Sequence, residues 1–110
     1  MDKEELKIKD LNDLRDLCKR LDVPLREKVF EDDCCLSWAG WYEDGTLEVR
    51  YSTDYEGKQN AVYSALFVLQ KLNKIIIKDY DEILYEPRIL IQTGEVFQYA
   101  IIEVVNEAGA

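Results

Sequence analysis

Residues 61–72, AVYSALFVLQKL, bring Ala61, Val62, Ala65, Leu66, Val68, Leu69 and Leu72 onto one continuous arc when spaced at about 100° per residue. That periodicity predicts a helix over about 54–73. Thr53 is its expected N-cap, with Glu56 three residues on as in a capping box, and Asn73 marks its end. Tyr63 and Phe67 fall off the arc, four residues apart on the opposite side, so this helix is apolar on two sides. An earlier stretch, from Asp10 to Pro24, has a single stripe of Leu11, Leu14, Leu17, Cys18 and Leu21. It predicts a one-sided helix with Asp10 as N-cap and Pro24 as its stop. The LKIK before it reads either as an extra turn or as part of a short extended arm over residues 1–9.

Elsewhere the period falls to two. CCLSWAGW and TLEVRYS read as strands joined at YEDGT, where Asp44-Gly45 accepts the positive φ of a tight hairpin. Leu47, Val49 and Tyr51 share one face of the second strand, Glu48 and Arg50 the other. VPLREKVF alternates weakly, as an edge strand or a loop. IIIKDYDEILYE holds one or two short strands about an acidic turn, and Pro87 marks an edge or bend. RILIQTGEVFQYAIIEVV predicts a second hairpin turning at Thr93-Gly94-Glu95. In its last strand Val96, Gln98, Ala100, Ile102 and Val104 face one way, and Phe97, Tyr99, Ile101 and Val105 the other. Residues 106–110 are an expected frayed end. The expected fold is one α+β domain over 1–110, two-layered, with a mostly antiparallel sheet of four or five strands against two helices. Its expected order is α-β-β-α-β-β-β.

Length and charge narrow the function. Surface scaling for a chain of this mass gives roughly 6,300 Å² exposed when folded against about 18,700 Å² unfolded, enough for a core without staples. The net charge is −9, from 23 acidic and 14 basic residues, and 47% of residues are hydrophobic. Residues 1–33 hold 8 of the basic and 11 of the acidic residues, so no tail alone carries the imbalance. Such a balance argues against nucleic-acid binding through a basic face, which needs clustered Lys and Arg. It fits solubility, a basic partner, or a surface that repels passing DNA. Cys18, Cys34 and Cys35 show neither C-x-x-C nor zinc spacing, and adjacent strand residues point to opposite faces. They read as reduced, core-type thiols. A charged N-terminus unlike a signal peptide, and no stretch near the ~20 apolar residues that span a bilayer, predict a soluble cytoplasmic chain.

Catalytic signals are sparse. The sequence has no His, the commonest general base, and its five glycines form no nucleophile elbow, Walker A or dinucleotide pattern. Asp32 with Asp33, and Asp79 with Asp81, sit in predicted turns, where acids are expected without any site. The expectation is a non-enzyme with no catalytic residue, no cofactor and no metal. Aromatics are the remaining candidates. Trp38 and Trp41 lie on opposite faces of one strand, so one can enter the core and the other anchor a partner. Helix one could pack over Tyr63 and Phe67; alternatively these cover a subunit contact. The two-sided helix and strand together predict a protein–protein interface at Tyr63, Phe67, Trp41, Phe97 and Tyr99.

From the first hairpin onward, TLEVRYSTDYEGKQNAVYSALFVLQKLNK and YEPRILIQTGEVFQYAIIEVVNE resemble bacteriophage tail-terminator and head-to-tail joining proteins, including minor capsid and tail-completion proteins. The similar region is 46–105. In that family a strand runs through an R-x-x-x-D-Y segment into an amphipathic helix. A Pro-before-Leu strand, a D-x-x-G turn and a long last strand follow. Arg50, Asp54, Tyr55, Pro87, Leu90, Gly94 and Tyr99 occupy comparable places, although the turn lacks its Asp. The resemblance implies a non-enzymatic subunit that closes into a ring, commonly a hexamer, terminating a tail tube or joining tail to head. Its partners would be copies of itself and other virion proteins, without specific nucleic-acid or membrane binding. It would be found in the host cytoplasm during assembly and then in the virion. The alternative is a small acidic inhibitor, such as an anti-defence, immunity or DNA-mimic protein, that blocks a nucleic-acid enzyme or toxin.

Overall fold

The computed structural model describes residues 5–30, 36–80 and 97–105. Its elements in chain order are β1 (Glu5–Ile8), α1 (Leu11–Arg20), β2 (Leu25–Val29), β3 (Ser37–Trp41), β4 (Leu47–Tyr51), α2 (Tyr55–Lys71), β5 (Ile75–Tyr80) and β6 (Ala100–Val104). The fold is α+β, with two helices and, among the described residues, two three-stranded sheets ordered β1-β6-β5 and β2-β4-β3. Of the two readings of LKIK the extended one holds, and the segment is paired: β1 runs antiparallel to β6, Leu6 opposite Ile102 and Ile8 opposite Ala100. The weakly alternating VPLREKVF supplies β2, an edge strand parallel to β4. Since β3 pairs antiparallel with the other side of β4, the chain passes β4's place and returns to fill it. The predicted hairpin at Thr93–Glu95, together with Pro87, Leu90 and Val96, lies outside the described residues, as do Cys34 and Cys35.

Both helices are closed at each end by local hydrogen bonds. Asp10 caps α1, its carboxylate accepting from the Asp13 amide at 3.0 Å. The cap of α2 is Asp54 rather than Thr53: its Oδ1 accepts from the Gly57 amide at 3.0 Å and from the Ser52 hydroxyl. A Cβ at Gly57 would collide with Ser52 and Asp54, so the first turn closes tightly only with glycine there. Each helix ends in a Schellman motif. After α1 the Val23 amide donates to Cys18 O and the Asp22 amide to Lys19 O, with Asp22 at φ 57°. After α2 the Lys74 amide donates to Leu69 O and the Asn73 amide to Gln70 O, with Asn73 at φ 60°.

The core explains why α2 is apolar on two sides. Leu47 and Val49 of β4, Leu14 and Leu17 of α1, and Leu66 and Leu69 of α2 are all but inaccessible to solvent. α2 touches α1, β3, β4 and β5 and therefore needs apolar contact on most of its circumference. Tyr63, off the main arc, is 2% exposed because Phe97 covers it, with ring centroids 5.9 Å apart. Gln59 locks this arrangement from within: its Nε2 donates to Lys9 O at 2.7 Å and Phe97 O at 3.0 Å, tying α2 to the end of β1 and the approach to β6. On one face of the final strand Ala100 and Ile102 are buried and Val104 half-buried, while on the other Ile101 is half-buried and Glu103 buried.

Candidate functional site

The expected interface residues separate into two groups. Tyr63 and Phe97 are core residues, 2% and 0% exposed, and the chain itself uses the surface that the sequence assigns to a partner. Trp41 is half-buried and packed on the core, so of the two tryptophans it is Trp38, 42% exposed, that faces out. Tyr99 is half-buried, with Lys7 Nζ 5.0 Å from its ring centre. Phe67 keeps an exposed edge on α2, while its other side meets Tyr63 in a T-shaped contact with centroids 4.8 Å apart. The positions of Tyr63 and Phe97 follow from chain closure, which brings residues 34 apart in sequence together. Helical periodicity alone cannot register that.

A different grouping emerges on the outer face of β2-β4-β3. Strand alternation turns Leu47, Val49 and Tyr51 inward and leaves Glu48 and Arg50 outward. The ladder sets Arg26 of β2 and Gly40 of β3 on either side of Glu48, and Lys28 and Trp38 on either side of Arg50. Glu48 has no exposed surface. Its Oε2 accepts from the Tyr42 hydroxyl at 2.9 Å and from Arg50 Nε at 2.9 Å. Its Oε1 accepts no hydrogen bond and lies 3.7 Å from Lys28 Nζ and 3.9 Å from Arg26 Nη1. Burial pushes the Glu48 carboxyl up, but the hydrogen bonds from Tyr42 and Arg50 and the positive charges outweigh it. The group stays below the usual carboxylate range. The Arg50 guanidinium is held above its ordinary value by the same pair.

The aromatic side chains are organised by these cations. Arg50 stacks over Trp38, 5.1 Å from the ring centre, and Arg26 over Tyr42 at 5.6 Å. Trp38 lies flat across Gly40, where any Cβ would run into the indole. A glycine on an edge strand thus gives the ring its bed. The hairpin places Tyr42 beside them: Tyr42 N donates to Thr46 O and Gly45 N to Tyr42 O, both at 2.9 Å. Gly45, at φ 89°, alone takes the positive φ, giving a three-residue loop of Glu43, Asp44 and Gly45. Asp44 completes it by accepting from the Thr46 amide at 3.0 Å.

This face therefore bears three half-exposed cations, one carboxylate and two exposed aromatic rings. The described residues hold 12 of the 14 Lys and Arg but 13 of the 23 Asp and Glu, so the main part of the −9 lies in the remaining residues. Asp44, in the adjoining hairpin loop, adds a second carboxylate within electrostatic reach of Arg26. The outward side of a Glu–Arg–Tyr alternation was legible in LEVRY; the gathering of Arg26, Lys28 and Trp38 around it required the β2–β4 pairing.

A second polar cluster joins α1 to the inner side of the same sheet. Glu27 accepts from Arg15 Nε and Nη2, both at 2.8 Å, and from the Tyr51 hydroxyl at 2.9 Å. The Arg15 hydrogen bonds hold the Glu27 carboxyl below its ordinary range. Burial pushes the nearby Cys18 thiol up to about 12, which keeps it protonated. Among the described residues no three His, Cys, Asp or Glu side chains gather in a metal-holding group. No helix among them is long and apolar enough to cross a membrane. Comparisons with protein-family profiles, with curated proteins and with solved structures returned no match.

Proposed function

We propose that this chain is a non-enzymatic assembly subunit, working by contact with copies of itself and with other virion proteins as a ring component of a phage neck or tail end. The observation that carries this reading is Trp38: a large ring, 42% exposed, bedded on Gly40 and held by Arg50 on a sheet face that no described element covers. Exposed Trp, Tyr and Arg are the side chains that dominate protein–protein hot spots. The passage from β4 through the Asp54 cap into α2, with Arg50 at the strand's end and Tyr55 exposed at the helix start, supports the tail-terminator likeness. A DNA mimic asks for carboxylates arrayed on one face; here one carboxylate stands among three cations.

Light scattering on the eluting protein tests the proposal. A ring of six copies of a 12.9 kDa chain would weigh roughly 70–80 kDa. A species of one chain's mass at every concentration, alone and with isolated tail tubes, overturns it.

A further inference from the structure

We propose that the outer face of β2-β4-β3 binds a small nucleotide, a planar base carrying one or two phosphates, an activity that goes beyond the assembly reading and does not rest on it. Two groups of side chains, one on each outer strand, carry this. On β2, the half-exposed Lys28 Nζ and Arg26 Nη1 stand 3.7 and 3.9 Å from the same Glu48 oxygen, near enough to each other for one oxyanion to reach both. Neither lies within hydrogen-bonding distance of that oxygen, which is buried yet accepts no hydrogen bond. Glu48 gives its other oxygen to Arg50 and Tyr42. Charge therefore holds Lys28 and Arg26 in place with their donors unspent on Glu48, and phosphate oxygens suit such donors.

On β3, Trp38 lies flat across Gly40, with Arg50 stacked 5.1 Å from its ring centre. Nucleobases stack on aromatic rings and on guanidinium planes alike, and both are open to solvent here. Gly40, Glu48 and Arg26 form one row across the sheet, and Trp38, Arg50 and Lys28 the next. Along such a row β3 and β2 are two strand spacings apart, about 10 Å. That is the reach from a base to its 5′ phosphates, so one nucleotide spans from the indole to the two cations. Charge sets the size of the ligand. Arg26, Lys28 and Arg50 are set against Glu48 and, in the adjoining loop, Asp44, a local +1 on a chain of −9. Screening beyond about 8 Å lets a small anion meet this face alone, whereas a long nucleic acid meets the repulsion of the whole chain.

Isothermal titration calorimetry of the full chain with ADP, adenosine and inorganic phosphate tests this. ADP is expected to bind at least about tenfold more tightly than adenosine or phosphate alone. Trp38→Leu should weaken ADP about tenfold and leave phosphate binding unchanged. Arg26→Gln with Lys28→Gln should weaken both ligands by about tenfold or more, with circular dichroism reporting that each variant is folded. Should the double variant misfold, Lys28→Gln alone replaces it, with a loss in the same direction. No binding at millimolar ADP, or ADP bound no more tightly than phosphate, overturns the proposal, as does an unchanged ADP affinity in either folded variant. An oligothymidine that binds more tightly than ADP would assign the face to single-stranded nucleic acid and overturn it too. Light scattering on the same samples keeps the two readings apart: absence of ADP binding at an assembled mass counts against the nucleotide site alone.

Discussion

Glu48 and Glu27 are carboxylates on opposite faces of one sheet, and both are held ionised by arginine and tyrosine donors. Their folded-state pKa values are lowered, so the folded protein binds fewer protons than the unfolded chain near their ordinary value of about 4.3. The stability they contribute is present above that value and is lost as pH falls through the folded values. Urea midpoints should thus be flat from neutral pH to about 5 and fall below about 4, and Glu27→Gln should flatten part of that acid limb. At neutral pH Glu27→Ala removes a bidentate partner of Arg15 and an acceptor of Tyr51, at a cost of roughly 1–3 kcal/mol. A residue without a side chain matters as much on the outer face. Gly40→Val places atoms where the Trp38 indole lies, so the ring must lift into water. Its fluorescence should shift to the red, with about 1–3 kcal/mol lost as measured by denaturation. An unshifted spectrum would mean that the ring does not rest there.

Element ends give a more local test, since each cap acts on one helix terminus. Asp22 and Asn73 take the left-handed conformation at the C′ position of α1 and α2. Glycine enters that region freely, whereas Asp and Asn tolerate it at some expense, so Asp22→Gly should raise stability by up to about 1 kcal/mol. Asp54→Ala should lower it by about 1 kcal/mol, and Thr53→Ala by much less, since Asp54 makes the capping bond. That last contrast shows what the sequence could convey. Asp10 was legible as a cap because the apolar stripe begins right after it. Thr53 and Asp54 offer equivalent side chains one residue apart, and the choice depends on Gly57 admitting Ser52 to the turn. The first hairpin was legible from Asp44-Gly45 and from alternation in LEVRY. β1 and β2 were ambiguous for a physical reason: a four- or five-residue edge strand shows little more than one period, and its identity comes from the partner it pairs with. The outer face of the second sheet was half legible. Glu48 and Arg50 could be assigned outward from the alternation, but not the cations that a parallel neighbour contributes.

At the scale of the whole molecule, the two-sided α2 has two destinations for its off-arc aromatics, and they separate folding from assembly. Tyr63 lies between Phe97 and Phe67 with almost no exposure, so Tyr63→Ala opens a cavity and should cost about 3–5 kcal/mol. Phe67 loses less, because its outer edge is already in water. Phe67→Glu should keep the native circular dichroism spectrum and forfeit roughly 0.5–1.5 kcal/mol of ring contact. α2 packs on the inward side of β3 and β4, whereas Trp38 shares the outward side with Glu48 and Arg50, so exposed Phe67 and exposed Trp38 belong to different elements on different sides of that sheet. A head-to-tail contact needs two such separate surfaces, one on each neighbour. Substituting either one should therefore break assembly while leaving the other face intact. Mixing distinguishes this from a symmetric dimer. Folded Phe67→Glu and folded Trp38→Glu each retain one of the two exposed aromatic surfaces, so in a heterologous assembly built on them the two should form a pair of about two chains' mass and stop there. Chain-mass species alone in the mixture, from variants that both fold, would show that the two surfaces do not meet.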